Sequence, residues 1–489
     1  MKVQNIIKKP DKLYGMKKAF LTGLATLSLA GLSLASPAVE LFNQAARFIE
    51  TQYFGPSTVA IPSLLEKYRV EVALLCLRQA QPEECSFEVV EPLIAKMLTD
   101  LQDGHAYYLS AEAVRQENAN RQGQAITPRP ALGLRFSSFC DTPNGACQYE
   151  EGNLKSTVLR DQLVTRVTIG SPAESAGVRY GDRLIGYNDV LFSSFATFGE
   201  YQKFRADLTP KVQAGESITL NLLRGTSREA VNLTFSGAIF NASQQPKLEL
   251  RPDGIAVLTV RDYLIAGVGQ KIHDLLRQAE ARGAKAIIFE QRQNGGGSVY
   301  EMMLAVGAFI RNPDPFRFVP RYEAGRNTLE FGYNDGMATI RYSGGIVQVG
   351  SSVRDAVTTR LPLAVLVDAN CASGCEYFAN YVQRHKRGTV IGAKTAGVGN
   401  SNTARFGLAN GGAAGIPTLR AFWLDGTGLP AFVEADLKTP DLEWNLFETG
   451  RDQAMNLALN ALKELPVSVQ PIPTILQPWQ QHYLEPINQ

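Results

Sequence analysis

Ser373 lies between two cysteines in the stretch CASGCE, residues 371–376, with Glu376 three residues after it. A serine in that setting can act as a nucleophile if the chain supplies a base and a place for an oxyanion. It can equally be a small residue capping a helix. The apolar run LPLAVLVD precedes it, and Tyr377, Phe378, Tyr381 and Val382 follow at helical spacing. Ser373 is therefore expected at a strand-to-helix turn, where free N–H groups and the helix dipole favour a developing negative charge. QRQNGGGS, residues 291–298, forms a second such turn. Its successive glycines let backbone N–H groups approach a ligand closely. No GxxxxGK[ST] pattern follows, which argues against a phosphate loop and for a glycine-built oxyanion hole facing Ser373.

Positioning these turns requires a sheet. From about residue 245 the chain alternates strand, turn and helix: GIAVLTV, then a helical stretch; AKAIIFE, then VYEMMLAVGAFI; LPLAVLVD, then GCEYFANYVQRH and TVIGAKT. That alternation predicts an α/β core with a largely parallel sheet. Upstream, residues 39 to about 125 carry apolar residues at three- and four-residue spacing and read as helical, running into DGHAYYL at 103–109.

Between these regions the runs are short and β-rich. SPAESAGVRYGDRLIGYND, residues 171–189, closely resembles a PDZ domain, which usually carries a "GD.I..vng" pattern after such a turn. ALGLRF at 131–136 looks like the carboxylate-binding loop of that domain. The resemblance implies that Leu132, Gly133 and Leu134 offer N–H groups to a peptide carboxylate while the adjoining strand edge accepts the peptide. DTPNGACQYEEGN, 141–153, reads as an insertion.

AIIFEQRQNGGG, VLVDANCASGCEYFA and TVIGAKTAGVGN, in that order after a PDZ-like segment, resemble the S41 family of serine peptidases, both its C-terminal processing branch and its tricorn-like branch. The likeness runs from the DGH segment to VEADL. It implies that Ser373 is the nucleophile and that the N–H groups of Gly296 and Gly374 form the oxyanion hole. The processing branch takes its base from the lysine of "GKG", but Val398 stands at that position, so a dyad of that kind is absent and Lys394, four residues earlier, is the alternative to a base from elsewhere. The tricorn-like branch takes a histidine from "DGH", which here is His105, and a neutral imidazole can accept a serine proton. The branch's third member, a glutamate of a C-terminal hairpin, falls on Leu429 without gaps. Glu434 and Asp425 are the nearest carboxylates; Glu434 is the acid assigned, and Asp425-Gly426 also reads as a hairpin turn.

The bulk composition agrees with an exported globular protein. The 489 residues are 45% apolar and 20% charged, enough for several domains. Basic residues crowd into the N-terminus, where MKKAFLTGLATLSLAGLSLASPA from Met16 has the basic, apolar and small-residue regions of a signal peptide. Without residues 1–38 the net charge turns from +2 to −3, which offers nothing to a nucleic acid. The cysteines fall in local pairs, Cys76 with Cys85, Cys140 with Cys147 and Cys371 with Cys375, and local disulfides are expected. Four histidines and no CxxC argue against a metal site.

The fold expected is α+β and multidomain. Residues 1–38 form a leader and signal peptide (Met16 an alternative start), 39–127 a helical domain carrying DGH, 128–240 a PDZ-like domain, 241–465 a crotonase/ClpP-like α/β catalytic core, and 466–489 a proline-rich tail. The function expected is a periplasmic or extracellular serine endopeptidase acting on unstructured or C-terminally recognised proteins. No cofactor, nucleic acid or stable membrane insertion is expected. An inactive peptide-binding protein on the same scaffold is the alternative. Acyl-group chemistry on a crotonase-like core would leave the PDZ-like segment unexplained.

Overall fold

The computed structural model describes residues 36–121, 129–143, 145–150, 153–240, 246–321, 328–439 and 442–463. The expected leader, apart from residues 36–38, and the proline-rich tail lie outside them. Those three residues open the first helix: Ser36 Oγ accepts from Val39 N–H at 3.3 Å, Pro37 fills the first helical position and Ala38 is buried. The described residues form two compact units, one of 36–121 with 402–419, the other of 129–401 with 420–463.

The first unit is built on α1 (Pro37–Gln52), α2 (Ile61–Leu77) and α3 (Phe87–Asp100). Their apolar residues recur every three or four positions, so Leu41, Phe42, Ala45 and Ile49 meet Leu65, Tyr68 and Val72 and then Val90, Ile94 and Met97 in one core. Each large apolar side chain buried there contributes about 2 kcal/mol. Cys76–Cys85 closes the link between α2 and α3 with its sulfurs 2.11 Å apart. β1 (Tyr107–Leu109) follows the DGH segment and pairs antiparallel with Ala413–Gly415, before α4 (Ala111–Arg121). Residues 402–419, which the sequence reading had given to the core of 241–465, thus join the helices: Leu408, Ala414 and Ile416 are buried in their core.

In the second unit an antiparallel sheet runs in the order β2 (Leu134–Cys140), β3 (Val158–Val167), β4 (Arg183–Tyr187), β5 (Ser217–Arg224) and β6 (Glu229–Ser236). β2 is at its edge. Helix α5 (Phe198–Gln213) starts with a capping box between Thr197 and Glu200 and packs Tyr201 and Val212 onto Leu184, Tyr187 and Leu220. Cys140–Cys147 closes a turn after β2.

A second sheet begins with β7 (Lys247–Leu250) antiparallel to β8 (Ile255–Thr259) and continues in parallel through β9 (Ala286–Glu290), β10 (Leu363–Val367), β11 (Thr389–Gly392) and β12 (Leu437–Lys438). Every residue of β9 and β10 is buried, as expected of strands covered on both faces. Helices α6 (Val268–Ala281), α7 (Val299–Gly307) and α8 (Gly374–Arg384) belong to the crossovers. Phe289 of β9 lies 4.5 Å from Phe378 of α8, ring centre to ring centre. The opposite face is covered by α9 (Leu442–Thr449) and α10 (Gln453–Lys463), whose Leu446, Ala454 and Ala458 pack on Ile288 and Leu366. Four further antiparallel strands, Phe316–Pro320, Leu329–Asn334, Met337–Tyr342 and Val347–Ser352, stand between α7 and β10 in the chain. The carboxyl ends of β9 and β10 project the glycine turn and the serine turn side by side, the usual place for ligands on a parallel sheet.

Candidate active site

Ser373 is the residue between β10 and α8, half-buried, with φ 53° and ψ −116°. Few residues other than glycine adopt that conformation, which costs about 1–3 kcal/mol and persists only where the surroundings impose it. Three attachments impose it here. Glu376 Oε2 accepts from Ser373 N–H at 2.8 Å. Ala372 N–H donates to Asn294 O of the glycine turn at 3.0 Å. Cys371 and Cys375, both buried, are joined across the turn with their sulfurs 2.01 Å apart.

Glu376 is the residue whose role the sequence reading missed, although it quoted the motif. It is buried, and its Oε1 accepts from the Thr395 hydroxyl and from Gly397 N–H, each at 2.7 Å. Oε2 also accepts from Val398 N–H at 3.0 Å. Burial pushes its carboxyl up and these donors pull against that shift. A buried carboxylate meeting several N–H groups could have been suspected from the glycine-flanked GAKTAGVGN stretch, but its partners lie 19 to 22 residues away.

The glycine turn approaches the serine turn as closely as a backbone can. Gly296 has φ +91°, and a Cβ there would stand 2.7 Å from both Ala372 O and Gly374 N and 2.8 Å from Ser373 Cβ. Only glycine fits. Gly296, Ser373 and Gly374 are therefore together, as the sequence reading expected, but their N–H groups differ. Gly296 N–H donates to Asn294 Oδ1 at 2.8 Å. Gly374 N–H, in the first turn of α8, and Gly297 N–H have no hydrogen-bond partner among the described residues. Gly297 N lies 3.5 Å from where a Gly374 Cβ would stand. Gly297 was not singled out from the sequence. Behind the turn, Arg292 is paired with Glu290 and with Asp452 and lies over the Tyr180 ring at 5.0 Å.

His105 belongs to the first unit. Its N–H donates to Asp103 Oδ1 at 3.0 Å and its carbonyl accepts from the Thr403 hydroxyl at 3.0 Å. Burial lowers its pKa, with the Asp103 charge opposing, so the imidazole is neutral at pH 7. Val398, at the position of the missing lysine, is buried. Lys394 is half-exposed, 3.8 Å from Glu434 Oε1 and 3.4 Å above the Phe432 ring. The two candidate acids are engaged with cations. Glu434 pairs with Lys438 at 2.8 Å as well as with Lys394, and its carboxyl is held low first by the Lys438 bond. Asp425 closes the hairpin turn onto Thr427 and pairs with Arg384 at 2.9 Å, its pKa held down to about 2 first by the Thr427 bond.

Beside β2 and α5 is a groove of 730 Å³ with Leu132, Leu134, Leu208 and Val212 in its wall and Arg129 and Arg205 exposed on it. Gly133 has φ +81°, a left-handed turn that leaves the N–H groups of Leu132 and Gly133 without partners among the described residues. Leu134 N–H belongs to the edge strand. Among the described residues no three His, Cys, Asp or Glu side chains gather as a metal site, and no helix is long and apolar enough to cross a membrane.

Residues 254–439 match the model of peptidase family S41. A tail-specific protease of Haemophilus influenzae is 26% identical over 253 residues, 48% of this chain and 31% of that protein. A CtpA-like serine protease of Staphylococcus aureus is 22% identical over 323 residues, 66% of this chain and 54% of that protein. The chain thus spans between a third and about half of the length of these relatives. The crystal structure of a candidate S41 protease of Bacteroides fragilis shares the fold with a TM-score of 0.50 at 13% identity, over 86% of this chain and 96% of that one. Residues 254–439 are thus similar to peptidase family S41.

Proposed function

We propose that the protein is an exported serine endopeptidase that cleaves unstructured or C-terminally recognised proteins. The observation that carries this reading is Ser373 held at φ 53° against Gly296, with two unpaired N–H groups, of Gly374 and Gly297, beside it. His105 takes the Ser373 hydroxyl proton as Oγ attacks the scissile carbonyl. The carbonyl oxygen becomes an oxyanion held by Gly374 N–H and by the Gly296–Gly297 pair, Gly296 joining once its N–H leaves Asn294. The amine leaves with the proton from His105, and water, activated by the same imidazole, releases the acyl group from Ser373. Glu434 or Asp425 serves as the third member only by giving up its cation.

The second part of the reading is that residues 128–240 are a PDZ domain. The free N–H groups of Leu132 and Gly133 suit a terminal carboxylate, and the edge strand β2 suits the peptide behind it. Residues 1–38 serve as the leader and export signal. Local disulfides fit that compartment.

The test is fluorophosphonate labelling of the mature protein as wild type, Ser373→Ala and His105→Ala. Labelling of wild type alone supports the Ser–His reading. Labelling of His105→Ala but not Ser373→Ala keeps the nucleophile and replaces the base, with Lys394→Ala the next variant. An unlabelled wild type that still binds peptides identifies a peptide-binding protein on a peptidase scaffold.

A further inference from the structure

The β-rich module meets the catalytic turns at several points, among them Arg292 over the Tyr180 ring, and one side chain of the helix pair that follows the core touches both regions. Glu443, in the first turn of α9, accepts from Ser137 Oγ of β2 at 2.7 Å through Oε2. Its Oε1 accepts from Gln293 Nε2 of the glycine turn at 2.5 Å and from Asn370 Nδ2, just before the serine turn, at 3.3 Å. Three segments far apart in sequence thus share one carboxylate. Gln293 itself stands at φ 62°, and its N–H is held by the buried Asp368 at 3.0 Å. Asp368 also accepts from Asn370 N–H at 3.1 Å, so any displacement of Gln293 is felt on both turns.

We propose that Glu443 is a positioning residue shared by the groove strand β2, the glycine turn and the serine turn, so that the state of β2 reaches Ser373 through one carboxylate. The inference rests on Ser373 being the nucleophile and on β2 being the strand a peptide joins. Ser137 lies three residues beyond Leu134 on that strand. α9 is well anchored for the task. Phe447 packs on Phe139 of β2 at 4.8 Å, its carbonyl accepts from Arg183 of β4, and Asp452 beyond it pairs with Arg292 of the glycine turn. A carboxylate that accepts from one segment through Oε2 and from two others through Oε1 couples what it touches. Moving either side costs a charge-assisted hydrogen bond.

Hydrogen–deuterium exchange of the full chain as wild type, Ser137→Ala, Ser137→Thr and Glu443→Gln tests it. Ser137 touches neither catalytic turn in the bonds described, yet Ser137→Ala is expected to raise exchange at least threefold at 291–298 and 370–376. The fluorophosphonate labelling rate of Ser373 should fall threefold or more. Ser137→Thr, which restores a hydroxyl, should return both to wild type, and Glu443→Gln should exceed Ser137→Ala. Exchange confined in Ser137→Ala to 134–140 and the facing strand overturns the proposal. So does Ser137→Thr behaving like Ser137→Ala. Failure of wild type to label would sink the nucleophile reading while the exchange pattern still decides the role of Glu443.

Discussion

The groove beside β2 and the turn carrying Ser373 both keep backbone N–H groups without partners, and they achieve it in opposite ways. In the groove, the left-handed turn at Gly133 leaves the N–H groups of Leu132 and Gly133 without partners among the described residues, beside a largely apolar wall. At the serine turn, the free N–H of Gly374 is the exception in a neighbourhood where a disulfide, Glu376 and Asn294 fix nearly every other polar group. The lesson is that an open groove can be varied residue by residue, whereas a strained turn depends on several supports at once.

The sharpest way to break that contrast is Glu376→Ala. It leaves the N–H groups of Ser373, Gly397 and Val398 and the Thr395 hydroxyl without their acceptor. A loss of about 3–5 kcal/mol is expected, read as a fall in Tm, with Ser373 labelling reduced about a hundredfold or more. A Tm within 2 °C of wild type would mean the turn is not held by this carboxylate. Replacing Cys371 and Cys375 by serine should cost less, on the order of 2 kcal/mol, because the closed loop is short. Labelling should drop with it, and an unchanged rate would show that the other supports suffice.

Dependence on pH separates the candidate bases. Burial lowers the His105 pKa, so the neutral form persists below the ordinary value of about 6.5. Labelling should therefore be flat at neutral pH and fall to half only below pH 6.5. A rate still rising above pH 8 would point to a lysine. The same shift means that His105 contributes stability fully above about pH 6.5 and loses it as the pH falls, since the unfolded chain binds that proton more tightly.

The smallest effect is expected in the groove. Arg129 and Arg205 have no carboxylate partner among the described residues, so a peptide with an acidic residue upstream of an apolar C-terminal residue should bind more tightly than its lysine counterpart. Arg205→Glu should reverse the preference by about fivefold, near 1 kcal/mol, in a fluorescence-polarisation titration, with Tm within 1 °C of wild type. A large stability loss there would erase the distinction between the two regions.

Much of the parallel sheet and its turns was legible because their signals are local. The alternating apolar runs gave β8, β9, β10 and β11, and the glycine stretch 295–297 marked a close approach that only tertiary packing could assign to Ser373. Local cysteine pairing also needed only short spacing. A third member beside serine and histidine was not legible: the family position falls on Leu429, and the nearest carboxylates, Glu434 and Asp425, are each drawn to a cation by contacts the pattern does not encode.

Residue type and spacing alone determined that a serine follows a buried strand at the start of a helix, that a glycine run follows another such strand, and that a DGH histidine stands upstream. Turns and periodicities are properties of a few consecutive residues, and a few residues suffice to specify them. The tertiary structure alone decided that Glu376 gathers N–H groups from 397 and 398, that Gly296 N–H is occupied while Gly297 and Gly374 are free, that residues 402–419 join the first unit, and that Glu443 meets Gln293 and Ser137 across 150 and 306 positions. Those are polar contacts between distant segments, fixed by which strands lie side by side, and no local pattern records them.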